Sequence, residues 1–465
     1  MADYELAVLG LGPGGEEVAE RVAEAGRSVL AVEPRLVGGE CPYFGCIPSK
    51  MILRGAEVLA EGRRVNQLAG RESDEPDFAP VATRIRDEAT DDWDDRVAVE
   101  RLEGTGATFV RGAGRLAGRT DDGRLEIRVG DDTHTAAVVC IATGTAPAIP
   151  PIDGIDELSD LLWTNREIVK AKEAPRSMVV IGGGAIGCEL AQGFARFGTK
   201  VTVVEAAPHL LMPEEPEAGE VVAAVFAREG ITVRQGVGVQ SVARGGDGVK
   251  VTLADGTTAT GERLLVAAGR RPNLAEIGLD TVGLDPAARS LPVDAHMRVL
   301  TDGERIVDGI YAVGDVTGRG AFTHVAVWQA RVLIAHLLDR DEPYGGYHGI
   351  AWATFTDPEV GRVGLTEQQA RERGLTVRVG RQQIPRNSRG WIHGPGNDGF
   401  VKIVEDVDRG VLVGATVVSP YGGELLGMLT LAVHAEVPVR ALRTMHYAFP
   451  TLHRAVLEAV YDLGS

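Results

Sequence analysis

Two cysteines, Cys41 and Cys46, stand five positions apart in the run GGECPYFGCIPSK, residues 38–50, between a double glycine and Pro48. An ideal α-helix climbs about 1.5 Å per residue, so this spacing would separate them by roughly 7.5 Å along the axis. A relaxed disulfide instead wants its Cα atoms about 4.4–6.8 Å apart. If the two bond, the turn carrying them is distorted, and strained, accessible disulfides are the readily reduced ones. Two unpaired thiols beside a turn, or part of a metal site, are the other readings. A zinc site needs about four ligands, and no histidine or second cysteine pair lies nearby in sequence, so no metal is expected.

The elements around this run carry glycine turns of the kind that hold a phosphate. Residues 5–9 form an apolar strand that enters GLGPGG, residues 10–15; a helical pattern runs to Gly26, and a strand over 28–32 ends at Glu33. Gly10 permits the tight turn, Gly12 lets backbone approach a pyrophosphate at the helix N-terminus, and Gly15 lets helix and strand pack closely. Glu33 is the acid expected to accept hydrogen bonds from a ribose diol. The pattern recurs as a strand over 177–181, the turn GGGAIG with Gly182, Gly184 and Gly187, a helix over 188–197, and a strand over 200–204 closed by Glu205. First glycine to acid is 23 positions in both copies (10 to 33, 182 to 205), which implies two dinucleotides. Alternating strands follow each copy, over 108–110, 124–129 and 137–141 and again over 232–234, 249–253 and 264–266. The series end in the small-residue turns Ala142-Thr143-Gly144 and Ala267-Ala268-Gly269. This reads as an internal duplication, one half per nucleotide.

With that context in place, residues 38–50 resemble the redox-active motif of the flavoprotein disulfide reductases, the family of dihydrolipoamide dehydrogenase, glutathione reductase and mercuric reductase. The match is at Gly38, Gly39, Cys41, Gly45, Cys46, Ile47, Pro48, Ser49 and Lys50, and the departures, Glu40, Pro42, Tyr43 and Phe44, lie on and around the inter-cysteine loop. The segment GIYAVGD, residues 309–315, resembles the family's second FAD motif, in which Asp315, after Gly314, binds the ribityl chain. From about Ala351 the chain is similar to the dimerisation domain. The resemblance implies an α/β protein: an FAD-binding domain over 1–150 and 275–345, an NAD(P)-binding domain over 151–274, and a C-terminal α+β dimerisation domain over 346–465. Both nucleotide domains are expected to be Rossmann-like with antiparallel meander inserts. It also implies a homodimer in which each active site is completed by the partner's C-terminal segment. Electrons are expected to pass from nicotinamide to FAD and on to a Cys41–Cys46 disulfide. Cys46 matches the thiolate that contacts the flavin and Cys41 the interchange thiol, and a helix N-terminus lowers a thiol's pKa. Lys50 matches the lysine beside flavin N5, and Glu189 its carboxylate partner. Glu205, with no arginine in the following Ala206-Ala207-Pro208-His209, favours NADH over NADPH. Cys140 and Cys188 read as small core residues.

The C-terminus breaks the pattern. Where the family has His-Pro-Thr-x-x-Glu, this chain reads FPTLHR over 449–454, so Phe449 replaces the proton-transferring base and Arg454 its carboxylate. General acid–base help is worth roughly 10²–10⁴-fold. His453 is one position short of the glutamate slot, and His446 lies three before Phe449. The expected function is therefore NAD(P)H oxidation with transfer to a small-molecule acceptor that needs little acid–base assistance: a disulfide, quinone or metal ion. Three alternatives stand beside it. One is an enzyme similar to ketopropyl coenzyme M oxidoreductase/carboxylase, which also has Phe for the base and a Cys-Pro. Another is a dihydrolipoamide dehydrogenase whose base is displaced to His453 or His446. The third is a redox-sensing flavoprotein that does not turn over.

Length and charge narrow the classes further. At 465 residues the chain accommodates two to four domains. A net charge of -18 argues against nucleic acid or anionic membrane as partner. No signal-peptide pattern and no apolar run approaching about 18 residues are present. Four cysteines are too few for a secreted disulfide scaffold, so a cytoplasmic setting is expected. The acidic stretch 72–95, with its DDWDD, is expected to be a solvated helix surface, and the Pro-rich 147–151 a hinge.

Overall fold

The apolar run at residues 6–9 is fully buried because its strand, Ala2–Leu9, lies between two parallel neighbours. The computed structural model describes residues 2–68, 76–301, 304–340 and 345–464. These form two units assembled from discontinuous stretches: Met1–Pro48, Arg84–Ala148 and Arg270–Gly345 in one, Ser49–Thr83, Ile149–Gly269 and Gly346–Ser465 in the other.

The first unit is built on an eight-stranded sheet with the order Arg298–Leu300, Ile306–Ala312, Asp132–Ile141, Ala2–Leu9, Val29–Glu33, Thr108–Arg111. Register pairs Leu9 with both Val32 and Ile141, which brings the ends of three strands together where the first glycine turn begins. The hairpin Gly114–Arg119 and Leu125–Val129 joins through the long strand Asp132–Ile141. The helix Pro13–Glu24 packs its Val18, Ala19 and Val22 into the core.

The second unit repeats the plan. Its parallel sheet runs Thr232–Gln235, Lys200–Glu205, Ser177–Ile181, Arg263–Val266, Leu162–Trp163. Here the antiparallel meander Val239–Gly245, Gly248–Leu253, Thr258–Gly261 is a separate three-stranded sheet. A five-stranded antiparallel sheet, ordered Ala351–Thr354, Glu359–Gly364, Val411–Ser419, Phe400–Asp406, Val377–Gln383, carries the helices Gly422–His434 and His453–Asp462 on its apolar side. Among the described residues no helix is long and apolar enough to cross a membrane.

The duplication is thus present in the backbone, and each series holds strands that pattern reading missed: Gly114–Arg119 in the first, Val239–Gly245 and Thr258–Gly261 in the second. These strands are rich in Gly, Arg and Thr and only half-buried, so hydrophobic alternation does not mark them. In the acidic stretch, residues 72–75 lie outside the described residues, and the chain is helical over Ala79–Arg84 and Ile85–Ala89 with Arg84, Arg86, Asp87 and Glu88 exposed, as a solvated helix surface requires. Its end differs from expectation: Asp91, Asp92 and Trp93 form a left-handed turn, with φ of 47°, 52° and 59°. Asp95 is buried, accepting the Val37 N–H at 2.7 Å and Arg111 Nη2 on its two oxygens at 2.8 and 2.9 Å. A carboxylate out of water needs such partners, and its own segment shows none of them.

Candidate active site

The cysteine turn begins with two glycines in left-handed backbone, Gly38 at φ 101° and Gly39 at φ 69°. A Cβ on Gly39 would stand 2.8 Å from Gly12 Cα, so the double glycine is what lets this turn lie on the first nucleotide turn. Cys41 sits on the short helix Glu40–Phe44, and Cys46 opens the helix Cys46–Leu68. Between them Gly45, at φ -128° and ψ -109°, breaks the helical path. That break is the distortion a Cys41–Cys46 bond would require, and the two sulfurs lie within hydrogen-bonding reach of each other. Thr323, first residue of the helix Thr323–Leu337, completes the cluster: its hydroxyl lies 3.6 Å from Cys46 Sγ and also bonds Cys41. The Cys41 thiol is pushed well above its ordinary value, first by the hydrogen bond with Cys46 and then by burial.

A chain of contacts runs outward from Cys41's neighbour. Glu40 pairs with Arg270 at 3.5 Å; Arg270 donates to the Thr145 hydroxyl at 2.7 Å and carbonyl at 2.9 Å; and that hydroxyl donates to Asp315 at 2.6 Å. Gly314, at φ 81°, donates its N–H to Gln329 at 2.6 Å. Thr143 and Gly144 are tied to Asn273, whose amide donates to the Thr143 carbonyl at 2.8 Å and whose N–H donates to the Gly144 carbonyl at 3.0 Å. Thr145, Arg270 and Thr323 carried no local signal in the sequence, because each works through a partner more than 120 positions away.

The two glycine turns match atom for atom. Glu33 accepts the N–H of Leu11 at 2.9 Å and of Arg35 at 2.8 Å; Glu205 accepts the N–H of Gly183 at 2.6 Å and of Ala207 at 2.7 Å. Each acid therefore clamps the second residue of its glycine turn and the residue two beyond itself. Burial pushes the Glu33 carboxyl up, against the pull of those two N–H donors. A Cβ at Gly15 would stand 2.0 Å from the Gly10 carbonyl oxygen, and one at Gly187 1.9 Å from that of Gly182. Gly12 and Gly184 face open space, and no side chain caps the helix that each precedes. Open approach and uncapped N–H donors are what a bound pyrophosphate requires, so both turns fit a dinucleotide. Gly269, at φ 111°, also borders open space.

Lys50, one helical turn along from Cys46, bonds Glu189 at 2.8 Å, and Glu189 is almost fully buried on the second fingerprint helix, Ala185–Arg196. At the C-terminus the guanidinium of Arg454 lies 5.4 Å from the centre of the Phe449 ring, which is 69% exposed. The two family-breaking residues thus stack on one another in place of an imidazole–carboxylate pair. His453 is exposed at the start of the helix His453–Asp462, and His446 is exposed as well. Cys140 and Cys188 are core residues; burial pushes the Cys140 thiol up to about 12 and raises Cys188 too.

Comparison with known proteins agrees with this assembly. Residues 4–330 match the family model described as pyridine nucleotide-disulphide oxidoreductase, and residues 350–460 match that family's dimerisation domain. The chain is 33% identical over 472 residues to a dihydrolipoyl dehydrogenase of Chlorobaculum tepidum, covering 99% of this chain and 97% of that protein. It is 32% identical over 477 residues to one of Thermus scotoductus, covering 100% and 98%. The crystal structure of LpdA from Mycobacterium tuberculosis superposes with a TM-score of 0.85 at 28% identity over the full length of both chains. The HOCl-induced flavoprotein disulfide reductase RclA from Escherichia coli shares the fold, with a TM-score of 0.82 at 24% identity over 99% of each chain. From the cysteine turn, the paired dinucleotide cradles and these full-length matches, the chain belongs to the pyridine nucleotide-disulphide oxidoreductases, FAD-dependent enzymes that use NAD(P)H.

Proposed function

We propose that this protein oxidises NADH and passes two electrons through Cys41 and Cys46 to an acceptor that needs no proton-transferring base: an activated disulfide, a quinone or a metal ion. In this reading residues 1–150 and 275–345 hold FAD through Gly10, Gly12, Gly15, Glu33, Thr143, Gly144, Gly314 and Asp315. Residues 151–274 hold the nicotinamide nucleotide through Gly182, Gly184, Gly187, Glu205 and Gly269. Residues 346–465 make a homodimer. FAD, when bound, accepts hydride and exchanges electrons with sulfur. Glu205 supports NADH because a carboxylate repels a 2′-phosphate, and neither Ala206 nor Ala207 supplies a cation. Lys50 and Glu189 hold a fixed charge pair one turn beyond Cys46. With a disulfide acceptor, the Cys41 thiolate attacks one sulfur and expels the other as thiolate. Cys46 then displaces the mixed disulfide, so the acceptor gains two electrons and the two cysteines close as a disulfide.

The observation that carries the reading of the acceptor is the Phe449–Arg454 stack, which puts no group that moves protons at the position where the family has its base. The test is an anaerobic NADH titration followed by an acceptor panel of lipoamide, glutathione disulfide, quinones and copper, with Cys41→Ser and Cys46→Ser beside the parent. Long-wavelength absorption on reduction, lost in Cys46→Ser and already present before reduction in Cys41→Ser, with quinone or metal turnover well above lipoamide turnover, is the expected result. Brisk lipoamide turnover by the parent refutes it. That outcome would favour the second reading, a dihydrolipoamide dehydrogenase using His453, which the names of the full-length relatives support.

A further inference from the structure

One aromatic residue outside the sequence motifs touches both members of the Lys50–Glu189 pair. The backbone N–H of Phe355 donates to Glu189 Oε1 at 2.8 Å, while the other carboxylate oxygen holds Lys50. Its ring lies under the Lys50 ammonium, 4.7 Å from nitrogen to ring centre. We propose that Phe355 is the positioning residue of this pair, orienting the carboxylate with its N–H and the ammonium with its π face. The inference rests on the proposed role of Lys50 beside the flavin.

The loop that presents Phe355 is fastened with unusual redundancy. Asp357 donates its N–H to Gln192 Oε1 at 2.7 Å and accepts from Gln192 Nε2 at its carbonyl at 2.9 Å. The Asp357 carboxylate takes Arg64 at 2.6 Å and Arg196 at 2.8 Å. Glu189, Gln192 and Arg196 stand at i, i+3 and i+7 of one helix, so a single helix face grips residues 355–357. Arg64 lies on the helix that bears Lys50. Both helices that supply the pair therefore also clamp the loop, and Gln192 and Arg196 are buried. Burial would raise the Asp357 carboxyl, but Arg196 and Arg64 outweigh it and hold it below the ordinary aspartate range, so it stays charged and the clamp stays closed. Lys50 is a flexible stem with an ammonium that many partners satisfy. A π face beneath it selects one position.

The test compares Phe355→Leu, which keeps the N–H and removes the ring, with Phe355→Trp, which keeps a π face. In the protein as purified, one readout is the rate at which a water-soluble acylating reagent modifies Lys50, followed by peptide mass spectrometry. Phe355→Leu is expected to speed it about threefold and Phe355→Trp to restore the parental rate. In the holoprotein the readout is anaerobic flavin reduction by NADH, expected to slow about threefold in Phe355→Leu and not to slow further when the change is made in Lys50→Met. Should Phe355→Leu fold poorly, phenylalanines bearing one, two or three ring fluorines at 355 weaken the π face at constant shape, and labelling should rise stepwise with fluorine count. Unchanged labelling in both series, or an equal slowing of flavin reduction with and without Lys50, overturns the inference. If Lys50→Met itself leaves flavin reduction untouched while labelling still follows the ring, the proposed role of Lys50 fails and the hold of Phe355 on it stands.

Discussion

At the scale of single residues, the proposed choice of acceptor turns on which side chain occupies position 449. An imidazole there transfers a proton; the phenyl ring of Phe449, exposed and stacked with Arg454, cannot. Phe449→His with Arg454→Glu should raise dihydrolipoamide oxidation about 10²-fold, measured as NAD⁺-dependent turnover. The same logic sets a pH dependence. Because the hydrogen bond with Cys46 and burial raise the Cys41 thiol, the nucleophilic thiolate is scarce at neutral pH and grows as pH rises. Reduction of a disulfide acceptor by the parent should therefore climb steadily on the alkaline side, and the double variant should flatten that climb. Asp95 makes the complementary point: within a run of carboxylates, only its position opposite Val37 N–H and Arg111 sets it apart from its solvated neighbours.

At the scale of elements, the two glycine turns are the same device used twice, and each tolerates no side chain at its third glycine. Gly15→Ala and Gly187→Ala would each force a methyl group within about 2 Å of a carbonyl oxygen. Overpacking of such a contact costs about 1–3 kcal/mol, so each change should weaken its own nucleotide about tenfold or more. Gly15→Ala should lower the FAD content of the purified protein, read from visible absorbance. Gly187→Ala should keep its flavin and lose NADH affinity, read by titration. Loss of flavin in both would contradict the assignment of one nucleotide to each turn.

At the scale of the whole molecule, residues 350–460 match a dimerisation domain and leave Trp391, Tyr421 and Phe449 exposed on the single chain. If the active site is composite, as the family resemblance implies, mixed dimers give a sharp prediction. Chains carrying Cys41→Ser with Phe449→His and Arg454→Glu lack a working dithiol, and parent chains lack an imidazole at position 449. Refolded together, they should oxidise dihydrolipoamide at a rate neither shows alone, because one site in each heterodimer joins intact cysteines to a partner's imidazole. No gain on mixing would place the C-terminal turn of each chain at its own site.

The sequence by itself determined the local devices: glycines spaced for a phosphate turn, an acid 23 positions on in each copy, and two cysteines whose bonding would require a broken helix. These are legible because turn geometry and helical rise act over a few residues and restrict which side chains fit. Only the tertiary structure decided which distant groups meet them. Thr323 reaches Cys46 across 277 positions, Phe355 reaches Glu189 across 166, and Arg270 reaches Thr145 across 125. Such pairs are chosen by sheet order and by which helix faces turn inward, quantities set by burial of the whole core and carried by no short stretch of chain.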